Sequence, residues 1–331
     1  MSTESQIQTF RDTYAALRAE IGKMIVGHDA IVEGTLIALF AGGHVLLEGV
    51  PGLGKTLLVR TLSEVLELPF NRIQFTPDLM PADILGTNIV METVGGRREF
   101  QFQRGPIFAN LILADEINRA TPKTQSAMLE AMQEKQVTAG GELRRLSEPF
   151  FVMATQNPID QEGTYPLPEA QLDRFMFFIH VDYPSHDEER RIARETTGAP
   201  PPPLNKLISG EEVTRFQDLV QRVPVPDHIY DTAVSLVRRT RPRSEEAPEW
   251  MNKWVTWGAG PRAVQYLIRG AKAHAILHGS YLVRMEDLEA VSLPVLTHRI
   301  LTNFQAQSEA VTSTFIVERL LEENRTEKQR A

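Results

Sequence analysis

Apolar residues in the first half of the chain form short continuous runs, separated by longer stretches with helical periodicity. The runs lie at residues 45–47, 73–75, 111–114, 150–154 and 175–181. Continuous apolar strands that alternate with helices are typical of a parallel sheet covered by helices on both faces. The pattern therefore predicts an α/β domain built on a five-stranded parallel sheet.

The second half of the chain has helical periodicity without such runs. Four consecutive prolines, Pro200 to Pro203, precede it, and a run of this kind favours extended backbone and stops helices. Helices are predicted beyond it at residues 211–222, 227–240, 261–277 and 285–300. Asp227 is expected to cap the second helix, and Pro294 to bend the fourth.

These patterns divide the chain into four predicted segments. They are a polar lead segment at residues 1–20, an α/β nucleotide-binding domain at 21–197, a proline-rich linker at 198–205 and an all-helical domain at 206–331. The charged tail beyond Glu318 is expected to fray.

Two short segments within the first domain are predicted to be β-hairpins. Strands at 88–91 and 99–102 flank Gly95-Gly96, and strands at 136–138 and 143–146 flank Gly140-Gly141. Paired glycines supply the positive φ angles that tight hairpin turns need. The sequence alone does not decide whether they are ordinary surface hairpins or functional inserts.

Composition narrows the class of protein. The chain has 331 residues, a net charge of −8 and no cysteine, which excludes disulfides and thiolate metal sites. It lacks both an apolar stretch long enough to cross a membrane and an N-terminal apolar signal block. We therefore expect a cytoplasmic protein without membrane insertion. The acidic balance argues against a broad DNA-binding face, so nucleic acid is not an expected partner.

The clearest chemical motif matches the phosphate-binding pattern G-x-x-x-x-G-K-[ST]. Its residues are Gly49, Val50, Pro51, Gly52, Leu53, Gly54, Lys55 and Thr56. A predicted strand precedes this phosphate loop and a predicted helix at 55–66 follows it, which is the context that lets backbone N–H groups bind phosphate oxygens. Lys55 is expected to reach the β- and γ-phosphates of ATP, and Thr56 to bind Mg²⁺. A glycine-rich turn with an exposed lysine is the alternative.

Polar residues follow two other predicted strands. Asp115 and Glu116 end the run at 111–114, so both are expected at the same sheet edge as the phosphate loop. Asp115 would hold Mg²⁺, and Glu116 would orient and deprotonate the attacking water. Asn157 follows the run at 150–154 and could contact the γ-phosphate or that water. A helix cap for the acids and a simple Asn-Pro turn are the alternatives.

The order of these motifs resembles an AAA+ ATPase, and several stretches resemble the MoxR family in particular. They are QNPIDQEGTYPLPEAQLDRF at 156–175, FTPDLMP at 75–81 and DEINRA at 115–120. The likeness extends over about residues 20 to 300. It implies a P-loop NTPase core of AAA+ type with a C-terminal all-α lid domain.

The resemblance also implies roles for individual residues. Asn157 matches sensor 1, and Arg174 matches an arginine finger that acts across a subunit boundary, although Arg174 alone could simply pair with Asp173. Arg262, in WGAGPRA at 257–263, matches sensor 2 and would touch the γ-phosphate from the lid. Val26 and Gly27 match the segment whose backbone contacts adenine, where relatives usually carry glutamine in place of His28. Leu57, directly after the phosphate loop, completes the expected nucleotide-binding set.

The same resemblance implies partners and cofactors. ATP and Mg²⁺ would be bound in a homo-oligomeric ring, commonly a hexamer, that remodels a client protein. The two hairpins match inserts that usually face the ring pore or the client. Family members are commonly paired with proteins that carry a von Willebrand A domain. A nucleotide-dependent scaffold with little turnover, a DNA-stimulated motor and a chelatase-like ATPase remain the alternatives.

Overall fold

The computed structural model of this protein describes residues 3–50, 52–92, 98–158, 163–198 and 203–330. Its strands, in chain order, are β1 Val45–Glu48, β2 Phe70–Gln74, β3 Gly86–Glu92, β4 Arg98–Arg104, β5 Leu111–Asp115, β6 Gln136–Ala139, β7 Glu142–Arg145, β8 Phe151–Gln156, β9 Phe177–His180, β10 Val255–Trp257 and β11 Leu301–Thr302. Its α-helices are α1 Thr3–Ile21, α2 Asp29–Phe40, α3 Lys55–Val65, α4 Pro81–Leu85, α5 Pro122–Glu134, α6 Glu169–Leu172, α7 His186–Thr196, α8 Gly210–Gln221, α9 Asp227–Arg239, α10 Glu249–Trp254, α11 Pro261–Leu277, α12 Met285–Ala290, α13 Ser292–Leu296, α14 Phe304–Ser308 and α15 Ser313–Arg330.

A five-stranded sheet in the order β2-β5-β8-β1-β9 forms the centre of the first half, and every neighbouring pair is parallel. This confirms the predicted fold class. The continuous apolar runs have a physical reason: Leu111 and Leu113 point into one buried cluster, while Ile112 and Ala114 point into another on the opposite face. Both faces are covered, so successive residues are all apolar.

Strand β2 begins at Phe70, three residues before the run that predicted it. It is the edge strand of the sheet, and three of its five residues, Asn71, Arg72 and Gln74, are polar. A search for continuous apolar runs misses the start of such a half-buried strand.

The helical half departs from the sequence-based expectation in four places. It contains an antiparallel pair of short strands, β10 and β11, although the sequence predicts an all-helical domain. Pro226, not Asp227, is the N-cap of α9, and Asp227 is its first residue. The single helix predicted at 285–300 is wrong: α12 ends at Ala290, and α13 and a 3-10 turn at Thr297–Arg299 follow. Pro294 lies in the first turn of α13, where its missing N–H costs no hydrogen bond. The first part of the tail that was expected to fray is helical, because α15 continues past Glu318 and buries Leu320 and Leu321.

The N-terminal residues form a long helix that packs on both halves of the chain. Helix α1 buries Phe10, Leu17 and Ile21 completely. The Phe10 ring lies 4.8 Å from that of Phe40 on α2 and 4.4 Å from that of Phe216 on α8. One apolar cluster therefore runs through the sheet, α1 and the helical half. The segment boundaries at 20, 197 and 205 stay predictions, and Pro200–Pro202 lie outside the described residues.

Both predicted hairpins are present, as antiparallel pairs β3–β4 and β6–β7. Gly140 and Gly141 turn the second hairpin with φ angles of 64° and 83°, whereas Gly95-Gly96 lie outside the described residues. The hairpins pack together, because the Arg144 guanidinium lies 3.7 Å from the Phe102 ring centroid. No helix in the described part of the chain has the length and apolar character that crossing a bilayer requires.

Candidate nucleotide-binding and catalytic site

The phosphate loop joins the end of β1 to the start of α3, as the sequence predicts. Gly49 has no room for a side chain, because a Cβ atom there would lie 2.6 Å from the Val181 carbonyl oxygen. Gly54 has a φ of 74° and is the N-cap of α3, where no side-chain hydrogen bond is seen in the described loop. The first N–H groups of α3 are therefore available to an anion. Pro51 lies outside the described residues.

Lys55 is half-buried beside the loop, where its Nζ donates a hydrogen bond to the Gly49 carbonyl oxygen at 2.7 Å. Burial lowers the pKa of this ammonium group, and the carboxylates of Asp115, Glu116 and Glu48 oppose that shift. The interaction with Asp115 and Glu116 places the lysine in the same electrostatic site as the two predicted catalytic acids. A phosphate that entered the loop could take the place of the Gly49 carbonyl oxygen as the hydrogen-bond acceptor of the Lys55 ammonium group.

Asp115 and Glu116 lie at the carboxyl end of β5 and are both held by neighbouring side chains. Thr155 on β8 joins them: its hydroxyl donates to Asp115 Oδ1 at 2.6 Å and accepts from the Glu116 N–H at 2.9 Å. Asp115 Oδ2 accepts from Arg72 at 2.5 Å, and Glu116 Oε2 accepts from Gln74 at 2.8 Å. Glu116 also has a φ of 56°, a strained angle for a residue with a side chain.

The donor atoms near the phosphate loop fit a magnesium ion. Thr56 supplies a hydroxyl oxygen and Asp115 a carboxylate, and Mg²⁺ prefers oxygen donors of this kind together with phosphate and water. Arg72 occupies one oxygen of Asp115 at 2.5 Å, so Asp115 would either exchange this partner or act through water. Asn157 follows β8, the strand between β5 and β1, and is 7% exposed. The sheet order therefore brings Asn157 to the same edge as the loop and the acids.

A mostly apolar cavity of about 250 Å³ adjoins the phosphate loop. Val26, His28 and Leu57 lie in its wall, which agrees with the predicted adenine segment and with Leu57 as a nucleotide contact. Pro184 and Ile192, at and after the start of α7, close the other side. The sequence interpretation missed this contribution of α7, although Ser-x-x-Glu at 185–188 signals the start of a helix.

Gly27 lies directly under a carboxylate of α7. It has a φ of 74°, and a Cβ atom there would lie 2.7 Å from Glu188 Oε1. Ser185 donates to the other carboxylate oxygen through its N–H at 2.8 Å and its hydroxyl at 2.7 Å, which lowers the pKa of Glu188. A backbone hydrogen bond from His28 to Glu188 also contributes to the lowered pKa, so the loop that carries Val26 and His28 contacts α7.

Arg174 and Arg262 lie together, but at the end of the sheet where β1 and β9 begin, opposite to the end that carries the phosphate loop. Arg174 precedes β9, whose first residue Phe177 pairs with Val45, the first residue of β1. Both arginines line a cavity of about 380 Å³ with His44, which precedes β1. The phosphate loop follows β1, and four strand residues separate the two edges by about 13 Å.

This placement corrects the expected role of Arg262 within its own chain. Its Nη1 donates to Asp173 Oδ2 at 2.8 Å, and it does not line the cavity beside the phosphate loop. The parallel register places the start of β9 far from the loop that follows β1. Arg262 therefore lies near Arg174, in the wall of the same cavity.

A buried arginine that the sequence interpretation missed holds this pair in place. Arg299, with a side chain only 2% exposed, donates to Asp173 Oδ1 at 2.8 Å and to the carbonyl oxygens of Asp173 and Phe175 at 2.9 and 2.7 Å. Tyr266 packs against the Arg299 guanidinium and donates its hydroxyl to the Arg174 carbonyl oxygen at 3.1 Å. The turn that carries Arg174 is thus fastened to the helical domain.

Comparison with known proteins agrees with this arrangement. Residues 44–177 match the family model described as the ATPase family associated with various cellular activities (AAA), and residues 251–320 match that of the AAA lid domain. The chain is 44% identical to Chaperone MoxR1 of Mycobacterium tuberculosis, over 92% of this chain and 79% of that protein. It is 30% identical to the protein MoxR of Methylorubrum extorquens, over 90% of each. A crystal structure of a candidate ATPase from Cytophaga hutchinsonii superposes with a TM-score of 0.90 at 40% identity, over 96% of both chains.

Proposed function

Because the chain belongs to the MoxR family of AAA+ ATPases, we propose that it hydrolyses ATP with Mg²⁺ in a ring of identical subunits and uses that cycle to remodel a client protein. The observation that carries the proposal is the assembly of Lys55, Asp115, Glu116 and Asn157 at one sheet edge, next to an apolar cavity of about 250 Å³. A phosphate cradle, two fixed acids and a nucleoside-sized pocket are the parts that phosphoryl transfer to water requires.

Within one chain, each residue has a distinct task. The backbone of the phosphate loop and Lys55 would bind and orient the triphosphate, while Thr56 and Asp115 would hold the Mg²⁺ that neutralises its charge. Glu116, fixed by Gln74 and by its backbone bond to Thr155, would orient the attacking water and accept its proton. Asn157 would hydrogen-bond that water or the γ-phosphate.

A neighbouring chain would complete the site. Arg174 and Arg262 line one cavity with His44, at the opposite end of β1 from their own phosphate loop, and β1 is about 13 Å long. Two cations on one surface can approach the loop of another subunit. We therefore assign both residues to catalysis across the interface, with Arg174 as the arginine finger. Such a residue accelerates related reactions roughly 10³–10⁵-fold, so an isolated chain would be a poor ATPase. A hexamer is the ring size that we propose.

The client role is inferred from relatives and from exposed side chains. One homologue is named a chaperone. The two packed hairpins present Phe100 and Leu143, which are 79% and 63% exposed, in a form suited to contact another protein. A protein with a von Willebrand A domain is the client class that we propose.

Mixing two inactive variants tests the shared site. Glu116→Gln should lower turnover about 10²–10⁴-fold while ATP binding persists, and Arg174→Ala should also be inactive. A mixture should recover activity, because some interfaces then combine an intact Glu116 with an intact Arg174. Arg60→Ala, at an exposed ion pair, is the control and should match the wild type.

The specific activity of the wild type should also rise with protein concentration. No ATP turnover at any concentration would refute the enzymatic proposal and leave a nucleotide-binding scaffold. Turnover that persists in Glu116→Gln would refute the assigned base. Inactivity of both single variants with no recovery on mixing, or equal specific activity at all concentrations, would refute catalysis across the interface.

A further inference from the structure

Three metal-ligating side chains meet where helix α2 of the sheet domain packs on helix α11 of the helical domain. His274 and His278 lie one turn apart on α11, and Glu33 faces them from α2. Each offers one ligand atom, and these atoms all lie within 4.8 Å of one another. The Nε2 atom of His278 is 3.1 Å from Glu33 Oε1. We propose that Glu33, His274 and His278 bind a transition-metal ion, with Zn²⁺ as the ion that best fits the donors.

The hydrogen bonds of the two imidazoles prepare them as ligands. The Nδ1 atom of His274 lies 2.7 Å from Asp287 Oδ1, and the Nδ1 atom of His278 lies 2.9 Å from the His274 carbonyl oxygen. Both partners are acceptors, so Nδ1 carries the hydrogen in each ring and the Nε2 lone pair is left for a metal. Asp287 is 2% exposed, and a buried carboxylate behind a ligating histidine is a recurrent feature of zinc sites.

The donor set selects the metal class. Two imidazole nitrogens and one carboxylate oxygen suit Zn²⁺, with a fourth position left for water or another ligand. Ligand atoms around Zn²⁺ lie about 3.4 Å apart, so the present spacing must contract by about 1.4 Å at most. The imidazole rings are stacked with centroids 4.0 Å apart, and they must fan apart for both nitrogens to meet one ion. A cavity of about 360 Å³, lined by Glu33 and His274, gives the ion a path from solvent.

Glu33 and His278 already interact directly. Glu33 raises the pKa of His278, and His278 in turn lowers the pKa of Glu33. Further polar side chains lie around the cluster, among them Arg18, 3.7 Å from Glu33, together with Tyr14 and Asp287.

A bound ion would join the two halves of the molecule. Glu33 belongs to the helical layer on the sheet, His274 and His278 to the lid, and Asp287 to α12 beyond it. The metal would therefore hold the lid at one angle to the nucleotide-binding domain. This role is independent of the ATPase proposal, because binding is measured without nucleotide or turnover.

Calorimetric titration of the EDTA-treated full chain with ZnCl₂, with excess Mg²⁺ to occupy oxygen-rich sites, tests the proposal. One equivalent should bind, and His278→Ala or Glu33→Gln should weaken the affinity at least about tenfold. His186→Ala is the matched control, since this imidazole is 91% exposed and far along the chain from the cluster, and it should bind zinc as the wild type does. Wild-type affinity in both cluster variants would overturn the assignment.

Cobalt substitution gives a second test that needs no variant. The wild-type chain with Co²⁺ should show the intense visible absorption of a four-coordinate nitrogen and oxygen site, and Zn²⁺ should abolish it by displacement. Spectra that match hydrated Co²⁺ would overturn the proposal even if every cluster variant failed to fold.

Discussion

Replacing Arg299 by methionine should loosen the attachment of the turn that carries Asp173 and Arg174 to the helical domain. The change keeps a long apolar side chain but removes the guanidinium that donates to Asp173 and to the Phe175 carbonyl oxygen. It also removes the bond from Arg299 to the Val295 carbonyl oxygen. Asp173 keeps its bond to Arg262 at 2.8 Å, so its charge is not left without a partner.

The expected loss of stability follows from the groups that are left unpaired. The carbonyl oxygens of Asp173, Phe175 and Val295 lose a charged donor in a region where Arg299 is 2% exposed. The Phe175 carbonyl oxygen still has His298 Nε2 at 3.2 Å, so two buried acceptors lose this donor without a replacement. At about 1 kcal/mol or more for each, the expected loss is about 2 kcal/mol.

Urea unfolding followed by circular dichroism would measure this loss. Arg60→Met is the matched control, because Arg60 is 72% exposed and pairs only with Glu64 one turn away, so its loss should be below about 0.5 kcal/mol. The ATPase rate should be measured at a temperature where both variants are folded. Arg299→Met should then lower turnover without weakening ATP binding, because Arg299 is about a strand length from the phosphate loop.

An Arg299→Met variant within about 0.5 kcal/mol of the wild type would refute the reasoning about buried acceptors. Lost stability with unchanged turnover would show that Arg299 supports the fold alone and does not position Arg174. Arg299→Lys distinguishes these cases further, since it retains the charge but not the fork of donors that reaches several carbonyl groups.

One further prediction concerns the stability of the fold at low pH, and another concerns Gly27 in the loop that carries Val26 and His28. Burial lowers the pKa of His44 from 6.5 to about 4. Below pH 6.5 the unfolded chain therefore binds a proton at His44 while the folded chain does not. About 3 kcal/mol of folding stability should be lost as the pH falls from 6.5 to 4. Denaturation at several pH values should show this loss, reduced in His44→Gln; an equal slope in both proteins would contradict it. Gly27→Ala should weaken ATP binding in a fluorescent-nucleotide titration, because its Cβ atom would lie 2.7 Å from Glu188 Oε1 and φ is 74°. Gly260→Ala, where nothing lies within 4 Å, is the control, and equal affinities would refute the steric argument.

The parts of the fold that the sequence predicts are those encoded by local patterns. The central strands follow from continuous apolar runs, since both faces of the sheet are covered, and the phosphate loop follows from its glycines and lysine. Asp115 and Asn157 then converge because parallel strands end at one edge. Helix α1 was predictable too, since Phe10, Tyr14, Leu17 and Ile21 have helical spacing that the polar composition of the segment obscures.

The remaining features depend on contacts between distant segments. Nothing next to Arg299 in the sequence indicates that it reaches a turn more than a hundred residues earlier. The position of Arg262 depends on how the lid packs on the sheet, which no motif specifies. Tertiary packing fixes the ends of α12 and α13 on either side of residue 291. Helical periodicity alone does not show this break and predicts one continuous helix.

The phosphate loop and Arg174 lie at opposite ends of the sheet. Each chain would therefore offer a nucleotide site at one end and an arginine at the other. Copies that associate through these ends must do so head to tail, and an open string of n copies leaves one nucleotide site unfinished. Closing the string completes that last site without adding a subunit. Under the proposed catalysis across the interface, a chain without Arg174 would keep its own site active and inactivate that of its neighbour, so the activity of a mixed ring would depend on the order of its subunits.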